Sequence, residues 1–171
     1  MAILPGLSAF KDQREVFMFY AHSTDSMNRD DWQRLSDHLN AVGQLAAHFA
    51  ERFAAQDIGR VAGLLHDLGK YTEEFQGRLT GDYGRVDHST AGAKVAVERF
   101  GPRLGRLLAY CIAGHHAGLA NGRDPGKRSA LQDRLAARIP HLLSAWQDEI
   151  GLPDSLNSPR LKYPRKDRAI F

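Results

Sequence analysis

VAGLLHDLGKY, residues 61–71, sets two polar side chains, His66 and Asp67, at the end of an apolar, helix-like run. Neighbouring residues on a helix point about 100° apart, so the two cannot both serve one packed face. A buried imidazole or carboxylate is costly unless something pairs with it, and a divalent metal engages both. More imidazoles lie on either side: His38 upstream, then His88, His115 and His116 downstream. Any one of these five histidines has an ordinary reading as a satisfied core or surface residue. All five beside apolar helical runs, with Asp67 among them, point to a metal site.

Outward from that stretch the pattern reads as helix after helix, with no convincing alternation for strands. From Ser36 onward, Leu39, Val42, Leu45, Ala46, Phe49 and Phe53 recur at spacings of three and four, which predicts an amphipathic helix with His38 near its start. Asp57 is placed to cap the next helix, whose buried face is Ile58, Val61, Ala62, Leu65 and Leu68, and Gly69 is placed to end it. Thr72 caps a short helix carrying Phe75 and Leu79. TGDYGRVD (80–87) is a Gly-rich loop, after which Asp87, His88 or Ser89 opens a helix containing Ala93, Val95, Ala96 and Phe100. Gly101-Pro102 breaks the chain with Pro at a first helical position. Leu104, Leu107, Leu108, Cys111, Ile112 and His115 then form one stripe. AGLANGRDPGKRS (117–129) is a long polar loop of the sort that carries function. Two more helices are expected, around residues 130–139 and 140–150. No internal repeat or low-complexity tract interrupts the series.

Bulk properties narrow the class. A chain of 171 residues with 43% hydrophobic content suits one soluble globular domain with a sizeable core. The single Cys111 rules out an internal disulfide and fits a reducing, cytoplasmic setting. No apolar run approaches the roughly 18–20 residues that span a bilayer. MAILPGLSAFKDQREV, at the start, lacks a basic n-region and is interrupted by Pro5 and Gly6, so it reads poorly as a signal peptide. Residues 1–17 read as a loosely attached extension ahead of the better patterned MFYAHS (18–23). A formal net charge of +3 is a mild basic bias, compatible with a polyanionic partner.

Imidazole and carboxylate ligands together suit Mn, Fe, Co, Ni or Zn, while Mg prefers oxygen. Six candidates exceed one tetrahedral zinc site but fit two metals sharing a bridging carboxylate, for which Asp67 is the natural choice. Two ions about 3.5–4 Å apart can activate a water and steady the leaving oxygen of a phosphodiester. Lys70 lies three residues beyond Asp67, on the same side of a helical turn, where it either neutralises a phosphoryl group or simply complements the helix dipole. In His115-His116, one residue can ligate while the other packs. Ser89, beside His88, is either a first-turn hydroxyl or a contact to phosphate. His48 and His141 read as surface residues, and His22 as a residue lining the site.

Taken in order, His38, HDLGK (66–70), DHSTAG (87–92) and GHHAGL (114–119) resemble the HD superfamily of metal-dependent phosphohydrolases. More narrowly, YAHS (20–23) and the DHS and GHHAGL boxes resemble the HD nuclease domain of the type I CRISPR-associated nuclease-helicase, with AYCIAGHHAGL (109–119) similar to its subtype I-C members. The match covers residues 18–122 well and the remainder loosely. It implies an all-α helical bundle, spanning 18–171, with a metal site at its centre. It also implies two divalent ions of transition-metal type (Mn, Fe, Co or Ni, with Mg as an alternative), and an endonuclease that nicks and then degrades single-stranded DNA in antiviral defence. Carried over by position, His38, His66 and Asp67 hold one metal, and Asp67, His88, His115 and His116 the other. Lys70 and Ser89 sit beside the scissile phosphate. The implied partners are single-stranded DNA, a helicase domain and the CRISPR surveillance complex. One departure stands out: family members carry a further Asp downstream in a box of the type SxLxDAD, whereas this chain ends in DRAIF and its Asp167 does not match. The expectation is therefore a domain truncated before that helix.

Two other functions compete. One is an HD phosphohydrolase acting on nucleotides or cyclic dinucleotides, although Ala117 follows the double histidine and the GYP box of one such subgroup is absent from the sequence. The other is a non-catalytic module that docks nucleic acid or a partner, suggested by the missing acidic ligand. For the nuclease, Arg123, Lys127 and Arg128 are the expected DNA-tracking residues, joined by Arg160, Lys162, Arg165 and Lys166.

Overall fold

A computed structural model describes residues 18–26, 28–121 and 130–159. The N-terminal extension, the basic loop residues Arg123, Lys127 and Arg128, the basic C-terminal group and Asp167 lie outside the described residues.

The fold is all-α. Helices α1 (Leu35–Ala50) and α2 (Gln56–Leu65) pack on one another, as do α4 (Ser89–Phe100) and α5 (Arg106–Gly114). The short helices α3 (Glu73–Thr80), α6 (Leu131–Ala136) and α7 (Ala145–Glu149) surround them. Leu35, Leu39, Leu64, Leu65, Leu68, Tyr71, Leu108, Ile112 and Leu131 form the centre of the core. Burying each leucine there is worth about 1.5–3 kcal/mol. Tyr71 also anchors the C-terminal part: its carbonyl accepts the Leu143 N–H at 2.9 Å and its hydroxyl donates to Glu149 at 2.8 Å.

Several local expectations are corrected. The expected stripe is only partly buried: Leu39, like Leu35 before it, is fully covered, but Leu45, Phe49 and Phe53, the last in a 3-10 turn beyond α1, are 54, 67 and 63% exposed. Small residues form the α1–α2 seam instead. A Cβ at Gly63 would lie 2.6 Å from Gly43 Cα, so the two backbones touch through glycine and the larger side chains are left outside. On α5, likewise, Leu108, Ala109, Ile112 and Ala113 are buried while Leu107 and Cys111 face out. Asp57 lies inside the first turn of α2, where it complements the dipole, and Ala55 precedes the helix without a side-chain cap.

Gly69 does not end α2. That helix stops at Leu65, and the chain tightens into a 3-10 turn, Leu68–Lys70. Thr72 does cap α3, its hydroxyl accepting the Phe75 N–H at 3.2 Å. The last two helices are shorter than expected. A two-stranded antiparallel ladder, β1 (Tyr20–His22) with β2 (Gln33–Arg34), has no counterpart in the sequence reading, because strands of three and two residues are too short to show a period of two. Among the described residues, no helix is long and apolar enough to cross a membrane.

Candidate metal centre

All six histidine and aspartate candidates sit at helix ends, and those ends meet. His38 lies in the first turn of α1, His66 and Asp67 directly follow α2, His88 immediately precedes α4, and His115 and His116 follow α5. Gly69 allows the close approach. Its N–H donates to the His88 carbonyl at 3.1 Å, and a Cβ there would lie 2.4 Å from that oxygen. The turn carrying Asp67 is thereby pinned against the segment carrying His88.

Asp67, 4% exposed, is the hub. Its Oδ2 lies 3.3 Å from His38 Nε2, 3.2 Å from His66 Nε2 and 2.9 Å from Lys70 Nζ. Its Oδ1 lies 3.3 Å from both His88 Nε2 and His115 Nε2. His116 completes the second side, its Nε2 2.8 Å from that of His88. The carboxylate thus divides its two oxygens between two sets of imidazoles. In each set one ligating atom per residue falls within 4.8 Å of the others: His38, His66 and Asp67 on one side, Asp67, His88, His115 and His116 on the other.

Backbone carbonyls fix which ring nitrogens face inward. Nδ1 of His66 donates to Gly63 O at 2.7 Å, Nδ1 of His115 to Ile112 O at 2.7 Å, and Nδ1 of His88 to Val86 O at 3.3 Å. A carbonyl only accepts, so these rings carry their proton on Nδ1 and turn an Nε2 lone pair toward the centre when neutral. That is the arrangement of metal-ligating histidines, whose outer nitrogen is held by an acceptor. Phe75 packs edge-on against His88, with ring centroids 5.2 Å apart.

The donor set fits divalent cations. Asp67 Oδ1 is buried without a hydrogen-bond partner among the described residues, an expensive state for a carboxylate oxygen unless a cation meets it. The facing Nε2 atoms, His38–His66 at 3.2 Å and His88–His116 at 2.8 Å, are close enough for two lone pairs to converge on one cation. Burial by itself would raise the Asp67 pKa, but the imidazoles of His115, His38 and His66 around it outweigh that and hold the carboxyl well below the usual range. Burial pushes His88 and His116 downward, toward the neutral form a metal requires. Burial also opposes protonation of His115, yet Asp67 and the Ile112 carbonyl raise its pKa on balance.

The remaining candidates are occupied in ways the sequence did not show. Lys70 is buried, its Nζ donating to Asp67 Oδ2 and to the Ala21 carbonyl, both at 2.9 Å. It neutralises the hub from behind. Ser89 Oγ donates to Asp87 at 3.0 Å and accepts from Arg134 at 2.6 Å. His22 is largely exposed at the rim, 5.2 Å from the His38 ring, and burial followed by the nearby Lys70 charge lowers its pKa. His48 and His141 are exposed and away from the cluster.

Asp87 and Arg134 were missed as site residues. Asp87 accepts from the N–H groups and hydroxyls of Ser89 and Thr90, which makes it the working cap of α4. Burial works against its ionisation, but Thr90, the Arg134 guanidinium and Ser89 bring its pKa down to about 2. An acidic residue two or three positions before a Ser-Thr pair is a readable cap signal. Arg134 has no such local mark. Both line a cleft of about 1260 Å³ that runs past His22, His88 and His116, with Lys70, Arg78 and Arg85 also on its walls.

Residues 35–144, more than half of the chain and all six converging ligand candidates, match the family described as HD domain. A search of curated proteins gives no match.

Proposed function

Because the chain belongs to the HD domain family, whose members are metal-dependent phosphohydrolases, we propose that it is a metal-dependent endonuclease for single-stranded DNA. On this reading the chain works as the HD domain of a type I CRISPR nuclease-helicase does. A helicase domain and the CRISPR surveillance complex are its partners, in antiviral defence. One observation carries the proposal: Asp67 presents Oδ2 to His38 and His66 and Oδ1 to His88 and His115, the disposition of a carboxylate shared by two cations. In that role His38, His66 and Asp67 hold one ion, and Asp67, His88, His115 and His116 the other. When bound, such ions supply Lewis acidity, acidifying a water and drawing charge from phosphoryl oxygens.

The chain's own groups do the rest. Lys70 pairs with Asp67 and fixes its rotamer, and the Gly63, Ile112 and Val86 carbonyls keep the imidazoles aimed inward. With Lys70 paired to Asp67 and Arg134 to Asp87, Arg78 and Arg85 are the further cations on the cleft wall, and they favour a polyanion. A site that opens onto a cleft through His88 and His116 suits a flexible strand that can bend a phosphate inward better than a stiff duplex.

The test is circular single-stranded DNA incubated with Mn, Co, Ni or Ca, with duplex, cyclic dinucleotide and deoxynucleotide controls. Cleavage of the unpaired circle is expected with Mn, Co or Ni, weakly with Ca, which prefers an all-oxygen shell, and not in excess EDTA. Hydrolysis of the nucleotide controls alone would replace this function with a nucleotide phosphohydrolase. Cleavage that persists in EDTA would refute the metal chemistry altogether.

A further inference from the structure

In the second ligand set His88 comes from the start of α4 and His115 and His116 from the end of α5, and Arg134 of α6 ties those two ends together. Its side chain is 18% exposed. On one side, Nε donates to Thr90 Oγ1 at 3.1 Å, and Nη2 donates to Thr90 Oγ1 at 2.9 Å and to Ser89 Oγ at 2.6 Å. Nη2 also meets the Asp87 carboxylate, at 3.3 Å from Oδ2. These groups flank His88. On the other side, Nη1 donates to the Ala113 carbonyl, two residues before His115. The guanidinium therefore spans the start of α4 and the end of α5.

Helix electrostatics explain why a cation stands there. At the end of α5 it complements the dipole and satisfies a terminal carbonyl. At the start of α4 it opposes the dipole, and Asp87, between the guanidinium and the helix N–H groups, offsets that cost. A planar fork with five donors holds both ends at one separation, whereas an ammonium on a flexible stem holds one end or the other.

We propose that Arg134 is a positioning residue for the second cation: by clamping the His88 segment to the His115-His116 segment, it sets the spacing of their Nε2 atoms. The proposal rests on the two-ion reading given above. It makes occupancy of the second set depend on Arg134, while His38, His66 and Asp67 bind independently of it.

The experiment is equilibrium titration of Mn into metal-free protein, with electron paramagnetic resonance to detect spin coupling between two ions. Wild type is compared with Arg134→Met, Arg134→Lys and Asp87→Asn, and melting is followed in parallel. Loss of an outer partner of a ligand typically weakens metal binding 10–100-fold. Arg134→Met should therefore bind the first ion with unchanged affinity, bind the second about 10–100-fold more weakly, and lose the coupled signal. Arg134→Lys and Asp87→Asn should give smaller losses confined to the same ion, and they carry the test if Arg134→Met does not fold. Two unchanged affinities, or two affinities falling together with the melting temperature, would overturn the proposal. A wild-type chain that binds a single ion would instead overturn the two-ion reading, and the proposal with it.

Discussion

The two sides of Asp67 are built differently. His38 lies in α1 and His66 directly follows α2, and the two helices touch backbone to backbone through Gly43 and Gly63, so packing sets the separation of this pair. His88, His115 and His116 stand just outside α4 and α5, which also pack on one another, and polar contacts hold these ends in addition: Gly69 to His88 on one flank, Arg134 and Asp87 on the other. Close-packed interiors resist displacement, while hydrogen-bonded helix ends adjust at lower cost. The second side is therefore the one that substitutions at polar contacts should tune.

The largest effect should come from the residue common to both. Asp67→Ala removes the shared carboxylate and should leave neither ion bound. With Lewis-acid assistance worth several kcal/mol and each 1.36 kcal/mol a factor of ten, cleavage should fall about a thousandfold or more. The substitution also strands Lys70, a buried charge whose loss of partner costs about 3–5 kcal/mol, so Asp67→Asn should be run beside it and folding checked by circular dichroism. Wild-type metal content in either folded variant would remove Asp67 from the centre of the site.

A smaller and more selective effect should separate the two sides. His66→Ala should lose the ion on the Oδ2 side and His88→Ala the ion on the Oδ1 side, each variant keeping about one ion per chain by elemental analysis. If either loses both ions, the sides are not independent and the comparison fails.

Gly69→Ala should act on one side alone. The added Cβ would meet the His88 carbonyl at 2.4 Å, so that backbone must retreat, at a cost of about 1–3 kcal/mol by analogy with overpacking. Thermal melting should report the loss, and metal titration should show it confined to the ion on the His88 side. Unchanged stability and binding would mean that the approach at Gly69 does not position His88.

What the sequence made legible follows the same division. His66 and Asp67 end an apolar helical run, and such a periodicity locates residues along an element whatever it later packs against. The structure brings both together with His38, His88, His115 and His116, although what they bind is the proposal. Less legible was which face of α1 is covered. Leu35 and Leu39 at one end and Leu45, Phe49 and Phe53 at the other satisfy one spacing rule, but the seam is made of glycine and alanine, which carry little hydrophobic signal. Arg134 was illegible for a different reason. Its partners lie 21–47 residues away in sequence, and a polar contact across that distance leaves no periodic trace. The charge on Lys70 was visible, but its inward turn to Asp67 and the Ala21 carbonyl depends on β1, a strand too short to read.

The most direct test is diffraction from Mn-soaked crystals, with anomalous maps collected at the Mn edge. The account predicts two peaks flanking the Asp67 carboxylate, one beside Oδ2 with His38 and His66, the other beside Oδ1 with His88, His115 and His116. A single peak, or peaks that leave one oxygen of Asp67 without a metal neighbour, would contradict it.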